Sequence, residues 1–155
     1  MNDSDFLRQA IALGAASVEQ GGGPFGALVV LGGEVIGRGA NCVTLHNDPT
    51  AHAEVQAIRE ACQAINDFSL VGATLYSSCE PCPMCLAASY WARLGRIVFA
   101  ASRDEAAAIG FDDAEIYRQI ALAHTERSLV MHRVELAEAA SLFRQWQEKP
   151  DKVAY

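Results

Sequence analysis

No apolar run in this chain comes near the roughly 20 residues that a membrane-spanning helix needs. The longest, around residues 25–31 and 97–101, fall far short. Positive charge is scarce as well. Twelve Lys and Arg stand against nineteen Asp and Glu, giving a formal net charge of -7 and a pI near 5.0. Bulk electrostatics would therefore not gather phosphate backbones, and extended nucleic acid is not expected as a partner. The start, Met1-Asn2-Asp3-Ser4-Asp5, lacks the basic region and apolar stretch of a secretory signal, so a cytoplasmic address is expected. No internal repeat, low-complexity segment or interdomain linker is evident. An even disulfide framework is missing too. Five cysteines, three of them crowded between Cys79 and Cys85, suit metal binding by reduced thiolates better.

What is present is 155 residues, 51% hydrophobic and 20% charged, which fits a single domain over 1–155 with room for a core. Helical spacing runs from a cap at Asp3 or Ser4 to the triple glycine at 21–23. Residues 25–31 and 34–39 flank Gly32-Gly33, a hairpin signal. After an irregular stretch at 41–50 come a helix over 51–65, a strand over 74–77, a helix over 82–92, a strand over 96–100 and a short helix over 102–108. That alternation predicts an α/β layer structure. Residues 113–121 and 136–147 are expected to be helical, 129–134 a short strand, and 148–155 an extended tail.

Two predicted helices open on chemistry-bearing residues. His52-Ala53-Glu54 begins one, and Pro81-Cys82-Pro83-Met84-Cys85 begins the other. Cys82 and Cys85, three apart in a first helical turn, can bite one ion, and a helix start favours the thiolate. His52 would add a nitrogen, making three protein ligands for Zn2+ with water in the fourth tetrahedral position. Glu54 is the nearby base that could take a proton from that water. A structural zinc would need a fourth protein ligand, with Cys79 and His46 as candidates, and a redox C-x-x-C would leave the histidine–glutamate pair unexplained.

H-x-E followed by P-C-x-x-C is the signature of the zinc nucleobase deaminases. The segments Asp48-Pro49-Thr50-Ala51-His52-Ala53-Glu54 and Ser78-Cys79-Glu80-Pro81-Cys82-Pro83-Met84-Cys85 resemble the cytidine deaminase-like superfamily in its purine-directed branch. Both tRNA adenosine deaminases and small bacterial guanine deaminases carry close versions. Pro24-Phe25-Gly26-Ala27, Asn41, Ala107-Ala108-Ile109-Gly110-Phe111-Asp112-Asp113, Ile116-Tyr117, Glu126-Arg127, Phe143-Arg144-Gln145-Trp146 and Tyr155 make the chain similar to the bacterial guanine deaminase family over nearly all of residues 24–155.

That resemblance implies a three-layer α/β/α sandwich around a central mixed, mostly five-stranded sheet, with one zinc per subunit. It implies a homodimer that exchanges its C-terminal segment, with 148–155 as a tail over an active site. The implied reaction is hydrolysis of guanine to xanthine and ammonia in purine catabolism or salvage. Glu54 would relay a proton from water to a ring nitrogen, and Asp113 would assist the departing amine. Asn41 would hydrogen-bond the purine and Phe25 pack on its ring, with Ala53, Glu80 and Tyr155 also at the substrate.

From the residues alone, Asp112 and Asp113 read as a helix cap and Asn41 as a turn residue, while Glu80 reads equally as a solvated cap or a support for the site. Cys79 reads as a small buried side chain or a neighbour of the metal ligands. Cys42, Cys62, His124, His132, Trp91 and Trp146 carry no site spacing. Two rival functions stay open: deamination of another base or guanine-like ring (adenosine in tRNA, cytosine, ammeline), and a noncatalytic zinc-stabilised interaction protein.

Overall fold

The computed structural model describes residues 1–155. Asn2 opens the first helix, α1 (Asp3–Glu19). Its side chain accepts from the Asp5 N–H and the Asp5 carboxylate accepts from the Asn2 N–H, both at 3.0 Å. The cap thus falls one or two residues earlier than expected. Asp3 is left to accept from the Tyr76 hydroxyl at 2.7 Å and to pair with Arg96, tying the helix start to the sheet. Past the glycine run the chain forms β1 (Gly26–Leu31) and returns as β2 (Glu34–Ala40). Gly32 and Gly33 between them have φ of 59° and 88°, the left-handed pair that a tight two-residue hairpin needs.

A short helix, α2 (Val43–His46), interrupts the stretch expected to be irregular, and α3 (Ala53–Ile65) follows. Next come β3 (Thr74–Cys79), α4 (Pro83–Trp91) and β4 (Arg96–Ala101), a strand–helix–strand crossover that makes β3 and β4 parallel. The remaining helices are α5 (Arg103–Ala108), α6 (Ala114–Ala121) and α7 (Ala137–Glu148).

The sheet order is β2-β1-β3-β4, with β1 antiparallel to both neighbours. Side chains alternate across it. Leu28, Val30 and Tyr76 pack with Phe6 and Ala10 of α1, while Ala27, Val29 and Leu75 pack with Ala53, Ala57 and Ala61 of α3 and with Ala92 after α4. Helices therefore flank a mixed sheet on both faces, and β1, covered on both, reads as an unbroken apolar run.

The sheet has four strands, not five. The expected strand at 129–134 makes no ladder, and Leu129 and Val130 are 77% and 86% exposed. Strand-forming composition yields a strand only where a neighbouring backbone supplies the hydrogen bonds.

The chain divides into two compact units, Met1–Ala114 and Glu115–Tyr155. The first holds the sheet. In the second, the Arg127 guanidinium donates to the carbonyls of Gln119, Ile120 and Leu122 at 3.1–3.2 Å and so closes the end of α6. No residue of the second unit is buried.

Close approach sets the height of α3 above β2. A Cβ on Gly39 would lie 2.0 Å from the Ala53 carbonyl oxygen, and one on Gly37 would lie 2.3 Å from that of Ala57. Both neighbours are helix backbone and cannot yield without moving the helix. Gly39→Ala is therefore expected to destabilise the fold by about 1–3 kcal/mol or more. Gly95→Ala, whose Cβ would meet its nearest neighbour at 3.6 Å, should stay within about 0.5 kcal/mol of the parent. Urea denaturation of the two variants makes the comparison, and equal midpoints would contradict it.

Candidate metal centre and active site

The loop before α3 is built to deliver one side chain. Asn47 takes a left-handed φ of 52°, and Asp48 Oδ1 accepts from the Thr50 N–H at 2.8 Å and hydroxyl at 2.7 Å. Those bonds hold the Asp48 carboxyl below its ordinary range. The Cys42 N–H donates to the Ala51 carbonyl at 2.9 Å, pinning the loop to the end of β2. His52 then becomes the N-cap of α3. Cys82 is likewise the N-cap of α4, with Pro83 in the first helical position, where a missing N–H costs nothing.

Neither His52 nor Cys82 caps its own helix. Both turn to a common point instead. His52 Nδ1 lies 3.5 Å from the Sγ of Cys82 and 3.5 Å from that of Cys85, and the three donor atoms lie within 4.8 Å of one another. Tetrahedral zinc with nitrogen at about 2.0 Å and sulfur at about 2.3 Å requires nitrogen–sulfur separations of about 3.6 Å. The three residues fit that geometry and that donor chemistry. Cys79 and His46 are not part of the group: the Cys79 thiol donates to the Ser102 carbonyl at 3.6 Å, and His46 ends α2. Three protein donors with an open fourth position are the pattern of a catalytic zinc.

Glu54 lies in the first turn of α3 and is only 6% exposed. Residues two apart within a helix point about 200° apart. His52 escapes that constraint because its backbone is extended, at φ −71° and ψ 152°, so both side chains reach the same side. Glu54 Oε2 accepts from the Cys85 thiol at 3.4 Å, and Oε1 accepts from the Ser77 hydroxyl at 3.2 Å.

The charges are strongly coupled. A hydrogen bond from the Cys85 thiol, aided by His52, pulls Cys82 down to about 4. The resulting thiolate, together with burial, drives Cys85 far up. Its hydrogen bond with His52 raises the imidazole, against burial, which lowers it. Burial raises Glu54, partly offset by hydrogen bonds, including that from the Cys85 thiol. Asp113 is raised by burial and then by the Cys82 thiolate, which places its carboxyl in the field of the cluster.

The other expected site residues are distributed unevenly. Asp112 Oδ1 accepts from the Ala114 N–H at 2.9 Å, an N–H at the start of α6. Phe25 makes an edge-on contact with Phe111, ring centroids 4.9 Å apart. Asn41 is buried at the end of β2, and its Oδ1 accepts from the Val43 N–H at 3.3 Å. Ala53 is fully buried against β2, which leaves its backbone N–H, in the unpaired first turn of α3, as the group it can present. Glu80 accepts from the Arg103 N–H at 3.1 Å, holding the start of α5. Tyr155 belongs to the second unit and is 73% exposed. Sequence reasoning missed Ser77. Its signal was available: Leu75, Ser77 and Cys79 share one face of β3 by alternation, and that face carries the core.

Residues 1–101 match the family model of the cytidine and deoxycytidylate deaminase zinc-binding region. The chain is 47% identical to guanine deaminase of Bacillus subtilis over 156 residues, covering 100% of both. It matches the X-ray structure of guanine deaminase from Bacillus subtilis with a TM-score of 0.97, covering 100% of this chain and 99% of that one at 47% identity. It is also 42% identical to a tRNA-specific adenosine deaminase of Buchnera aphidicola over 103 residues, 65% of this chain and 64% of that protein.

In metal-stripped protein at pH 6, iodoacetamide should alkylate Cys82 well ahead of Cys85, and loading with zinc should protect both. The Cys82 thiolate contributes to stability fully above its ordinary value of 9.0, and that contribution is lost progressively as pH falls towards about 4. Peptide mapping by mass spectrometry reads the labelling, and preferential modification of Cys85 would contradict the charge assignment.

Proposed function

Since this chain belongs to the cytidine and deoxycytidylate deaminase zinc-binding family, we propose that it is a hydrolytic deaminase converting guanine and water to xanthine and ammonia. The observation that carries this reading is Glu54, a buried carboxyl set against a three-donor His/Cys/Cys group that has no fourth protein ligand. The noncatalytic alternative requires that fourth ligand. The likeness to a guanine deaminase runs through the whole chain, whereas the likeness to tRNA-specific adenosine deaminase covers 65% of it. An acidic net charge of -7 also argues against a tRNA substrate.

His52, Cys82 and Cys85 would hold one zinc per subunit, whose Lewis acidity makes water a competent nucleophile near neutral pH. Glu54 takes the proton released by that water on Oε2, the oxygen on the Cys85 side, and passes it to a purine ring nitrogen as the bond to C2 forms. An amidine-like carbon is a poor electrophile, and protonating the adjacent nitrogen stabilises the tetrahedral adduct. Asp113 supplies the proton that lets the amine leave as ammonia, and it is reprotonated by the hydroxyl proton that the adduct releases as C2 becomes a carbonyl. Its raised affinity for protons suits that task. Phe25, braced by Phe111, packs on the purine, Asn41 and the Ala53 N–H hydrogen-bond it, and Glu80 supports the pocket from the loop before Cys82.

The second unit finds its role in a homodimer. Forty-one residues rarely hold a core alone, and Leu129, Val130, Phe143 and Trp146 are exposed in it. In the first unit β4 is an edge strand, and Phe99 and Trp91 are exposed. Exposed apolar surface of this kind marks an interface. Exchange of the C-terminal segment between two copies would cover it, and residues 148–155 of one copy, Tyr155 included, would close over the purine held by the other.

Glu54→Gln should retain about one zinc per chain while ammonia release from guanine falls at least about 100-fold to 10,000-fold. Assaying guanine, guanosine, adenine, cytosine and ammeline with the parent protein tests the substrate, and release from nucleosides alone would overturn it.

Deleting residues 149–155 should impair guanine turnover more than folding. Mixing that deletion with Glu54→Gln should then restore activity, because each copy supplies what the other lacks. Sedimentation equilibrium should show dimers. A mixture no more active than its components would remove the exchange.

A further inference from the structure

Ser77 is 1% exposed and stands on the sheet face that also carries Ala27, Val29 and Leu75. An alanine would fill that place without burying a hydroxyl. A buried hydroxyl is costly unless it is hydrogen-bonded, and this one is bonded twice. Its Oγ accepts from the Cys79 N–H at 3.4 Å, which directs the O–H away from the strand and onto Glu54 Oε1 at 3.2 Å. The two oxygens of Glu54 are thereby divided. Oε1 is held by the sheet, and Oε2 faces Cys85 at 3.4 Å.

We propose that Ser77 is a positioning residue for Glu54: its hydroxyl fixes the rotation of the carboxyl group about its terminal bond, so that one oxygen is anchored and the other is presented to the reacting water and base. This rests on Glu54 being the proton-transfer group of guanine deamination. A carboxyl at the end of a three-torsion side chain has a broad terminal rotamer, and proton relay between two acceptors tolerates little misalignment. Ser77 gives Glu54 a partner on an interior strand, hydrogen-bonded on both sides to other strands.

The test uses the full-length, zinc-loaded protein with Ser77→Thr, Ser77→Val and Ser77→Ala. Threonine keeps the hydroxyl, and valine matches its shape without one. Ser77→Val should lower kcat for guanine about 10-fold to 100-fold with KM changed by less than about 3-fold, and Ser77→Thr should keep at least about a third of the parent kcat. Zinc per chain and Tm should be equal in the two. If Ser77→Val does not fold, Ser77→Ala takes its place in the comparison with Ser77→Thr.

Infrared difference spectra against Glu54→Gln read the carboxyl directly. Its band should shift in the valine variant and stay in place in the threonine variant. Equal kcat in the valine and threonine variants, or a loss that merely follows zinc content or Tm, would overturn the positioning role. A parent protein that releases no ammonia from guanine would instead overturn the functional reading, while the infrared comparison would still decide whether Ser77 orients Glu54.

Discussion

A helix and a strand separated by nothing larger than glycine and alanine decide where the chemistry can sit. Gly37 and Gly39 of β2 face Ala53, Ala57 and Ala61 of α3, all of them fully buried. Any added side chain would push α3 outward, carrying with it the N-cap His52 and the first-turn Glu54. The same rung of the sheet continues across the molecule. Gly39 pairs with Ala27, Ala27 with Ser77, and Ser77 with Phe99. The backbone hydrogen bonds that set this register therefore also fix the distance between the helix that bears His52 and Glu54 and the strand that leads to Cys82 and Cys85. The metal group is assembled by sheet register, not by flexible loops, as a preorganised site requires.

The hydrogen bond from the Cys85 thiol is the first cause of the charge state of the cluster, and two helix N-termini meeting at one point act in the same direction. Unpaired N–H groups and the positive end of each helix dipole favour an anion there, and the Cys82 thiolate occupies that position. Burial acts the other way on Glu54, and no Lys or Arg is among the groups that shift it. A carboxyl paired with a guanidinium would stay ionised and could not donate. Glu54, bonded instead to the Ser77 hydroxyl, remains able to both take and give a proton, which is what the proposed relay between water and a ring nitrogen demands.

Much of this was legible in the residues because the signals were local. The Gly32-Gly33 hairpin, the helix opening at His52 and the turn from β3 into α4 each follow from short-range backbone preferences. So does the His/Cys/Cys grouping, once two helix starts are granted a common target. What escaped depended on distant neighbours. Residues 129–134 have the composition of a strand but no partner edge, a fact invisible in their own sequence. Asp112 and Asp113 look equivalent as a pair, and only the path of the backbone gives the Ala114 N–H to Asp112 and the field of the cluster to Asp113. Ser77 shares the core face of β3 with Leu75, but its partner Glu54 comes from a helix 23 residues earlier, and only the fold brings the two together.

Substrate choice cannot come from the metal group itself. Proteins that act on tRNA and proteins that act on a free base share the matched region, so discrimination must lie in what surrounds it. The proposed function brings an aromatic pair, Phe25 and Phe111, to the base, and the chain carries seven more negative than positive side chains. A polyanion would meet long-range repulsion before reaching the cluster, whereas a neutral purine would meet none and, in the proposed function, would gain from stacking and from hydrogen bonds at its edge. A small ligand of this kind also needs a site that shuts out bulk water, since proton relay through a carboxyl competes with exchange to solvent. The first unit supplies the metal group. If the proposed exchange occurs, a second chain would supply cover, each active site would be completed only when two chains associate, and catalysis would be tied to assembly.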